Sequence, residues 1–278
     1  MSRIVSRVLK TAPPKNLAAR RFVSFNDYQE QDWSVKGPFK ALHSMNEVRI
    51  PWIIESLGPK GSKNDTDFLR NTKLLDVGCG AGILSIALAS IGANVMGIDS
   101  SSKVIEIAYN RAKKSVPSLL DKNLRFQVLG ADELEFTTDE RFDAVIASEV
   151  VEHVENVPQF VLNCVNLTKP GGMVYFTTIN KTIPSLLFVK LAAEYILRVV
   201  PAGIHSWNMF VEPKDLEKYL LSYCVKDIES TGFMYNPLFD QWSKFPILSM
   251  NYGIKGRKLN EEPVYSSEYF QDINFKRS

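Results

Sequence analysis

Asp76-Val77-Gly78-Cys79-Gly80-Ala81-Gly82-Ile83-Leu84-Ser85 (DVGCGAGILS) is the stretch that decides the fold of this 278-residue chain. It leaves a short apolar run, Lys73 to Val77, and enters a segment of helical period, Ile83 to Ile91. A strand that passes through closely spaced glycines into a helix is the opening unit of a βαβ fold. Glycines there let the backbone turn tightly and let a ligand approach without a Cβ in the way. Working outward, Asn94 to Ile98 reads as a second strand, Ser102 to Ser115 as a helix, Leu124 to Leu129 as a third strand and Phe142 to Ala147 as a fourth. Gly172 to Thr177 follows the turn Lys169-Pro170-Gly171 as a fifth, and Val225 to Ser230 and Ser249 to Lys255 close the set. Strands alternating with helices at this spacing imply right-handed parallel units. The expectation is an α/β, doubly wound, mostly parallel seven-stranded sheet over residues 73–260. A helical segment over 22–72 precedes it, with Pro38 and Pro51 as breaks and Gly58 to Asp67 as a loop.

The spacing of the loop separates possible ligands. A dinucleotide fingerprint needs G-x-G-x-x-G, whereas Gly78, Gly80 and Gly82 make G-x-G-x-G, with Ile83 where that third glycine would fall. Asp76 at the mouth of the loop would repel a pyrophosphate. S-adenosylmethionine has no phosphate and carries an ammonium and a sulfonium, so a nearby carboxylate favours it. Asp99, at the end of the second strand, is placed to accept the ribose hydroxyls, and Asp132, after the third, the adenine amino group. Any one of these acids alone could merely cap a helix; three of them at three strand ends beside the glycine loop point to the cofactor.

The fourth strand runs into Ser148-Glu149-Val150-Val151-Glu152-His153. If this segment turns helically, Glu149 lies three residues from Glu152 and four from His153, and all three share a face. Three readings stay open. The two carboxylates and the imidazole hold a divalent cation, which lowers the pKa of a bound catechol hydroxyl. His153, or Glu149, works as a general base. Or the cluster serves local hydrogen bonding only. His43 and His205 read as packing or surface residues.

Composition bounds the rest. A hydrophobic content of 45%, 23% charged residues and a net charge of +2 fit a globular protein without a nucleic-acid-binding surplus. Cys79, Cys164 and Cys224 lack metal-type spacing and read as reduced thiols. No acid precedes Asp27, while Arg3, Arg7, Lys10, Lys15, Arg20 and Arg21 are basic. That composition over residues 1–21 is the one a mitochondrial presequence needs, a basic tail or a lipid-contacting arm being the alternatives. After the fifth strand comes an apolar helical insertion over 183–206, in which Lys190, Glu194 and Arg198 form one narrow polar stripe. Two readings are equally open for it: a helix that meets lipid, lying on a membrane surface or lining an apolar tunnel, or a cover for the sheet. Residues 261–278 read as a tail.

With these residues in view, the chain resembles the ubiquinone biosynthesis O-methyltransferases from about Asp32 to Lys258. The likeness is densest in DVGCGAGILS, in SEVVEHV (Ser148 to Val154), in KPGG (Lys169 to Gly172) and in the TTIN strand end. It continues through YNP (Tyr235 to Pro237), Trp242 and NYGIKGRK (Asn251 to Lys258). The resemblance implies S-adenosylmethionine-dependent O-methylation of a polyprenyl dihydroxybenzoate and of demethylubiquinol. It further implies Arg49, Gly78, Asp99 and Ser148 at the cofactor, and a divalent ion, magnesium by analogy, at Glu149, Glu152 and His153. Eukaryotic members of the family imply peripheral contact with the matrix face of the inner mitochondrial membrane, in a complex with other ubiquinone-biosynthesis proteins. Two other readings stand beside it: an O-methyltransferase for another small phenol, and a non-catalytic cofactor-binding subunit of such a complex.

Overall fold

The alternating apolar runs assemble into an eight-stranded sheet in the order β3-β2-β1-β4-β5-β8-β6-β7. The computed structural model describes residues 33, 37, 39–58, 67–180, 211–236 and 238–260. The expected presequence, the insertion over 183–206 with His205, and the tail lie outside the described residues. The strands are β1 (Lys73–Val77), β2 (Asn94–Asp99), β3 (Leu124–Val128), β4 (Phe142–Ser148), β5 (Thr168–Ile179), β6 (Val225–Asn236), β7 (Gln241–Phe245) and β8 (Asn251–Lys258). The first five run parallel, and β8, β6 and β7 add to them antiparallel. The sheet thus has one strand more than the seven expected. The addition is β7, a short edge strand whose half-exposed residues carry no apolar run.

Among the described residues six α-helices cover the two faces: α1 (Lys40–Leu57), α2 (Ile83–Ser90), α3 (Ser102–Ser115), α4 (Ala131–Thr137), α5 (Val157–Leu167) and α6 (Pro213–Ser222). Side chains of a strand alternate between faces, so each central strand feeds two cores. Leu74, Met173 and Tyr175 join Met45, Trp52, Leu84 and Leu88 beneath α1 and α2. Leu75, Val77, Val174 and Phe176 join Val161, Val165, Leu216 and Leu220 beneath α5 and α6. Helix α1 is fixed to the sheet by Trp52, whose ring meets Tyr175 and Phe233 edge-on at 5.5 and 5.6 Å. Tyr175 Oη also donates to the Ile53 carbonyl at 3.0 Å. Pro51, expected as a break, lies inside α1 instead. Packing of Met45, Arg49, Trp52 and Ile53 holds the helix together across the backbone hydrogen bond that proline cannot make.

Two further expectations need correction. The fifth strand is longer than foreseen, running on past Thr177 to Ile179. The segment after β4 does not continue as a helix. Glu149 has a left-handed backbone (φ 58°), and only Val151–His153 form a single 3₁₀ turn. Cys79, Cys164 and Cys224 form no disulfide.

The glycine loop and the β4 end are built against each other. Gly78 has φ 66°, and a Cβ placed there would lie 2.5 Å from Val150 Cγ2. Gly78→Ala should therefore cost about 1–3 kcal/mol of stability from overpacking and backbone strain. Denaturant unfolding checks this, and Val150→Ala in the same chain should restore part of the loss. Additive losses would show that the two loops do not touch.

Candidate active site

Strand order reverses between β1 and β4, so their carboxyl ends flank a crevice, the usual ligand site of an open α/β sheet. The glycine loop lines one wall. Asp99 at the end of β2 shapes it: Gly80 N–H donates to Asp99 Oδ2 at 3.2 Å, and Ser101 N–H donates to Oδ1 at 2.9 Å. Each oxygen keeps acceptor capacity for a ligand hydroxyl. Gly80 adopts φ 54°, and a Cβ there would meet nothing within 4 Å, so the loop backbone is open to a ligand at that point. Gly82 caps α2 in the left-handed conformation. Asp76 is buried and accepts from Ser85 Oγ at 2.5 Å. Its pKa is pushed up to about 6, first by burial, with the charge of Asp99 adding to the effect. Asp132 lies exposed in the first turn of α4, beside the same edge.

The opposite wall carries a buried cation. Arg49 of α1 donates through Nε and Nη2 to Asn46 Oδ1, at 3.2 and 2.5 Å, and through Nη1 to Ser148 Oγ. Asn46 in turn donates to the Ile83 carbonyl at 3.2 Å, at the start of α2. Burial lowers the guanidinium pKa, and the charges of Asp76 and Glu149 oppose that shift. The structure thus brings Arg49, Asp76 and Ser148, named from separate parts of the sequence, into one electrostatic group.

The hydrogen bonds leaving Arg49 run in one direction. Thr177 Oγ1 donates to Glu149 Oε1 at 2.9 Å, so its single proton is used. Ser148 Oγ, 2.6 Å from Thr177 Oγ1, must then donate to it, having itself accepted from Arg49. Asn251 Nδ2 donates to the other oxygen, Glu149 Oε2, at 3.4 Å. Glu152 is buried as well and accepts from Thr178 Oγ1 at 2.7 Å. Burial, followed by the charge of Glu152, raises the Glu149 pKa well above the ordinary carboxylate range, and burial raises that of Glu152. Burial lowers the pKa of His153, which favours the neutral imidazole near pH 7.

The shared helical face expected for Glu149, Glu152 and His153 is not formed, because Glu149 stands before the 3₁₀ turn. Among the described residues, no three His, Cys, Asp or Glu side chains are grouped so as to hold a metal ion. Glu149 and Glu152 interact; His153 does not complete a set with them. Sequence reasoning assigned no role to Asn46, Thr177, Thr178 and Asn251. The signal for the threonines was present: two adjacent hydroxyls ending an otherwise apolar central strand.

Residues 75–176 match the family model described as "Methyltransferase domain". The mitochondrial ubiquinone biosynthesis O-methyltransferase of Rattus norvegicus is 39% identical over 221 residues, covering 79% of this chain. This chain spans 64% of that relative's length. The ubiquinone biosynthesis O-methyltransferase of Bradyrhizobium sp. (strain ORS 278) is 32% identical over 257 residues, covering 92% of this chain and 99% of its own. Among solved structures, the magnesium protoporphyrin IX methyltransferase of Synechocystis with bound SAH aligns with a TM-score of 0.56 at 20% identity. That alignment covers 79% of this chain and 84% of the other. At that identity it supports the fold alone.

A buried acid, Asp76, with the charge of Asp99 nearby makes a crevice suited to a cation. Asp76 is ionised above about pH 6 and protonated below it. Affinity for S-adenosylmethionine should therefore weaken as pH falls from neutrality through about 6, approaching a tenfold loss per unit below that. Calorimetric titration at a series of pH values measures it. A flat profile would remove Asp76 from the electrostatics of cofactor binding.

Proposed function

This chain belongs to the ubiquinone biosynthesis O-methyltransferase family, and from that premise we propose that it methylates catechol-type hydroxyls of a polyprenyl dihydroxybenzoate and of demethylubiquinol. It is a methyltransferase that uses S-adenosylmethionine. The observation that carries the finer reading is the buried pair Glu149 and Glu152, at the end of β4 beside the glycine loop. Burial raises the pKa of both, so either one, once ionised, is a stronger base than an exposed carboxylate and can accept a phenolic proton.

In this reading the crevice binds the cofactor along Gly78, Gly80 and Gly82, with Asp99 at the ribose and the acid-rich floor near its positive charge. Glu149 takes the proton of the catechol hydroxyl. The phenolate oxygen attacks the sulfonium methyl, the carbon–sulfur bond breaks, and the neutral thioether leaves with the bonding pair. The donor chain Arg49–Ser148–Thr177 holds Glu149 oriented while it accepts the proton. His153, kept neutral by burial, is the alternative base.

The proposal includes a divalent ion, magnesium by resemblance. Glu149 and Glu152 would supply two hard oxygen donors to it, and its charge would lower the pKa of a bound hydroxyl. The names of the mammalian relatives support a mitochondrial location, and peripheral contact with the inner membrane and other biosynthetic proteins belongs to the same reading.

The test is product analysis with purified protein, labelled S-adenosylmethionine and catechols with and without a polyprenyl tail. Methylation of the tailed catechol is expected, abolished by chelator and restored by magnesium, with cofactor binding kept throughout. Glu149→Gln should lower kcat by about 10²–10⁴-fold. Full turnover in metal-free buffer would discard the ion and leave the carboxylate or His153 as the base. No S-adenosylhomocysteine from any catechol would favour a non-catalytic subunit.

A further inference from the structure

The β6–β7 hairpin projects from the edge of the sheet where the site opens. Strand β8 runs antiparallel to β5, and β6 antiparallel to β8, so β6 points the same way as the parallel strands. Phe233 pairs with Asn251, which pairs with Ile179, the last residue of β5. Met234, Tyr235 and Asn236 continue beyond that rung with β7 as their partner. Three residues at roughly 3.3 Å each carry the turn about 10 Å past the end of β5.

At the tip, Leu238 is 86% exposed and Phe239 70% exposed. They are held outward by a braced turn. Tyr235 Oη donates to Asp240 Oδ1 at 2.6 Å, Ser44 Oγ donates to the same oxygen at 3.3 Å, and Leu238 N–H donates to Asn236 Oδ1 at 3.0 Å. Trp242 Nε1 donates to the Ala41 carbonyl at 2.8 Å, tying the hairpin to α1. Fixing a turn in this way, with its two largest apolar side chains facing water, makes sense only if something apolar meets them.

We infer that Leu238 and Phe239 form a prong that enters the headgroup–acyl boundary of a lipid bilayer and sets the active-site edge against it. Size argues for lipid over protein. A large apolar side chain offers at most about 150–250 Å², so the pair falls well short of the roughly 800 Å² per partner of a stable interface. Charge agrees. Asp240 is the only acid between Phe233 and Phe245, and it is engaged by Tyr235, Ser44 and Lys40, the last at 3.9 Å. A third exposed apolar side chain, Ile247, lies in the loop that joins β7 to β8. The same loop receives the end of β5: Asn180 N–H donates to the Met250 carbonyl at 2.6 Å, and Asn180 Nδ2 to that of Leu248. Strand β5 therefore ends at this edge too. The inference rests on the proposed function in one respect: a substrate whose tail lies in lipid requires this edge to face lipid.

The experiment uses the full chain and phosphatidylcholine vesicles with and without phosphatidylglycerol, in the absence of substrate. Leu238→Ser with Phe239→Ser should reduce partitioning by about tenfold or more. Phe239→Trp should gain a blue-shifted emission component on vesicle addition, which reports the tip directly. Turnover of a tail-less catechol in vesicle-free buffer should be unchanged in the double variant. Equal partitioning, or no blue shift in the Phe239→Trp variant, overturns the prong. So does concentration-dependent self-association in vesicle-free buffer that the double variant loses, since a second copy would then be the occupant. If the unmodified protein turns over no catechol while its partitioning depends on the tip, the functional reading fails and the lipid contact stands.

Discussion

A guanidinium almost out of reach of water, that of Arg49, lies where two buried carboxylates need a positive charge. It reaches the site from α1, ahead of the first strand, and its hydrogen bonds go to Asn46 and Ser148 and to neither acid directly. Its influence on Asp76 and Glu149 is through charge and through the hydroxyl chain. Two features keep it there. Trp52 packs edge-on against Tyr175 and Phe233, and Asn46 ties the helix to the start of α2. Without that anchoring, Asp76 and Glu149 would have only neutral donors, Ser85 for the one and Thr177 and Asn251 for the other, to set against the cost of burial.

The charge balance also orders the chemistry. A crevice lined by Asp76, Asp99, Glu149 and Glu152 favours a ligand that brings positive charge, which a nucleotide does not. The strained backbone of Glu149 and the close approach of Val150 to Gly78 place the carboxylate pair against the glycine loop.

Much of this was legible because local chemistry and tertiary role coincide. The G-x-G-x-G loop, Asp99 at a strand end and the alternation of apolar runs with helical periods each follow from backbone constraints that act within a few residues. What escaped depended on distant partners. Strand β7 has no apolar run, since an edge strand pairs through its backbone, and its side chains stay half-exposed. Pro51 reads as a helix break until the packing around Trp52 is known. Glu149 reads as helical by spacing, whereas its backbone is left-handed, with its N–H bonded to the Thr177 carbonyl and Val150 set against Gly78. Thr177 and Thr178 gain meaning from the register that sets β5 beside Ser148 and brings it to the carboxylates. The helical face expected for Glu149, Glu152 and His153 is absent for the same reason, being a spacing argument applied to a segment that is not a helix.

The site depends on Arg49 acting as the counter-charge of the acid cluster, and a thermodynamic cycle tests this directly. Unfolding free energies would be measured for the unmodified chain, Arg49→Met, Glu149→Gln and the double variant. If Arg49 offsets the carboxylate, neutralising Glu149 should recover part of what Arg49→Met loses, giving a favourable coupling of about 1 kcal/mol or more. Losses that add to within about 0.5 kcal/mol would mean that the two residues do not sense each other's charge, and the electrostatic account of the site would be wrong.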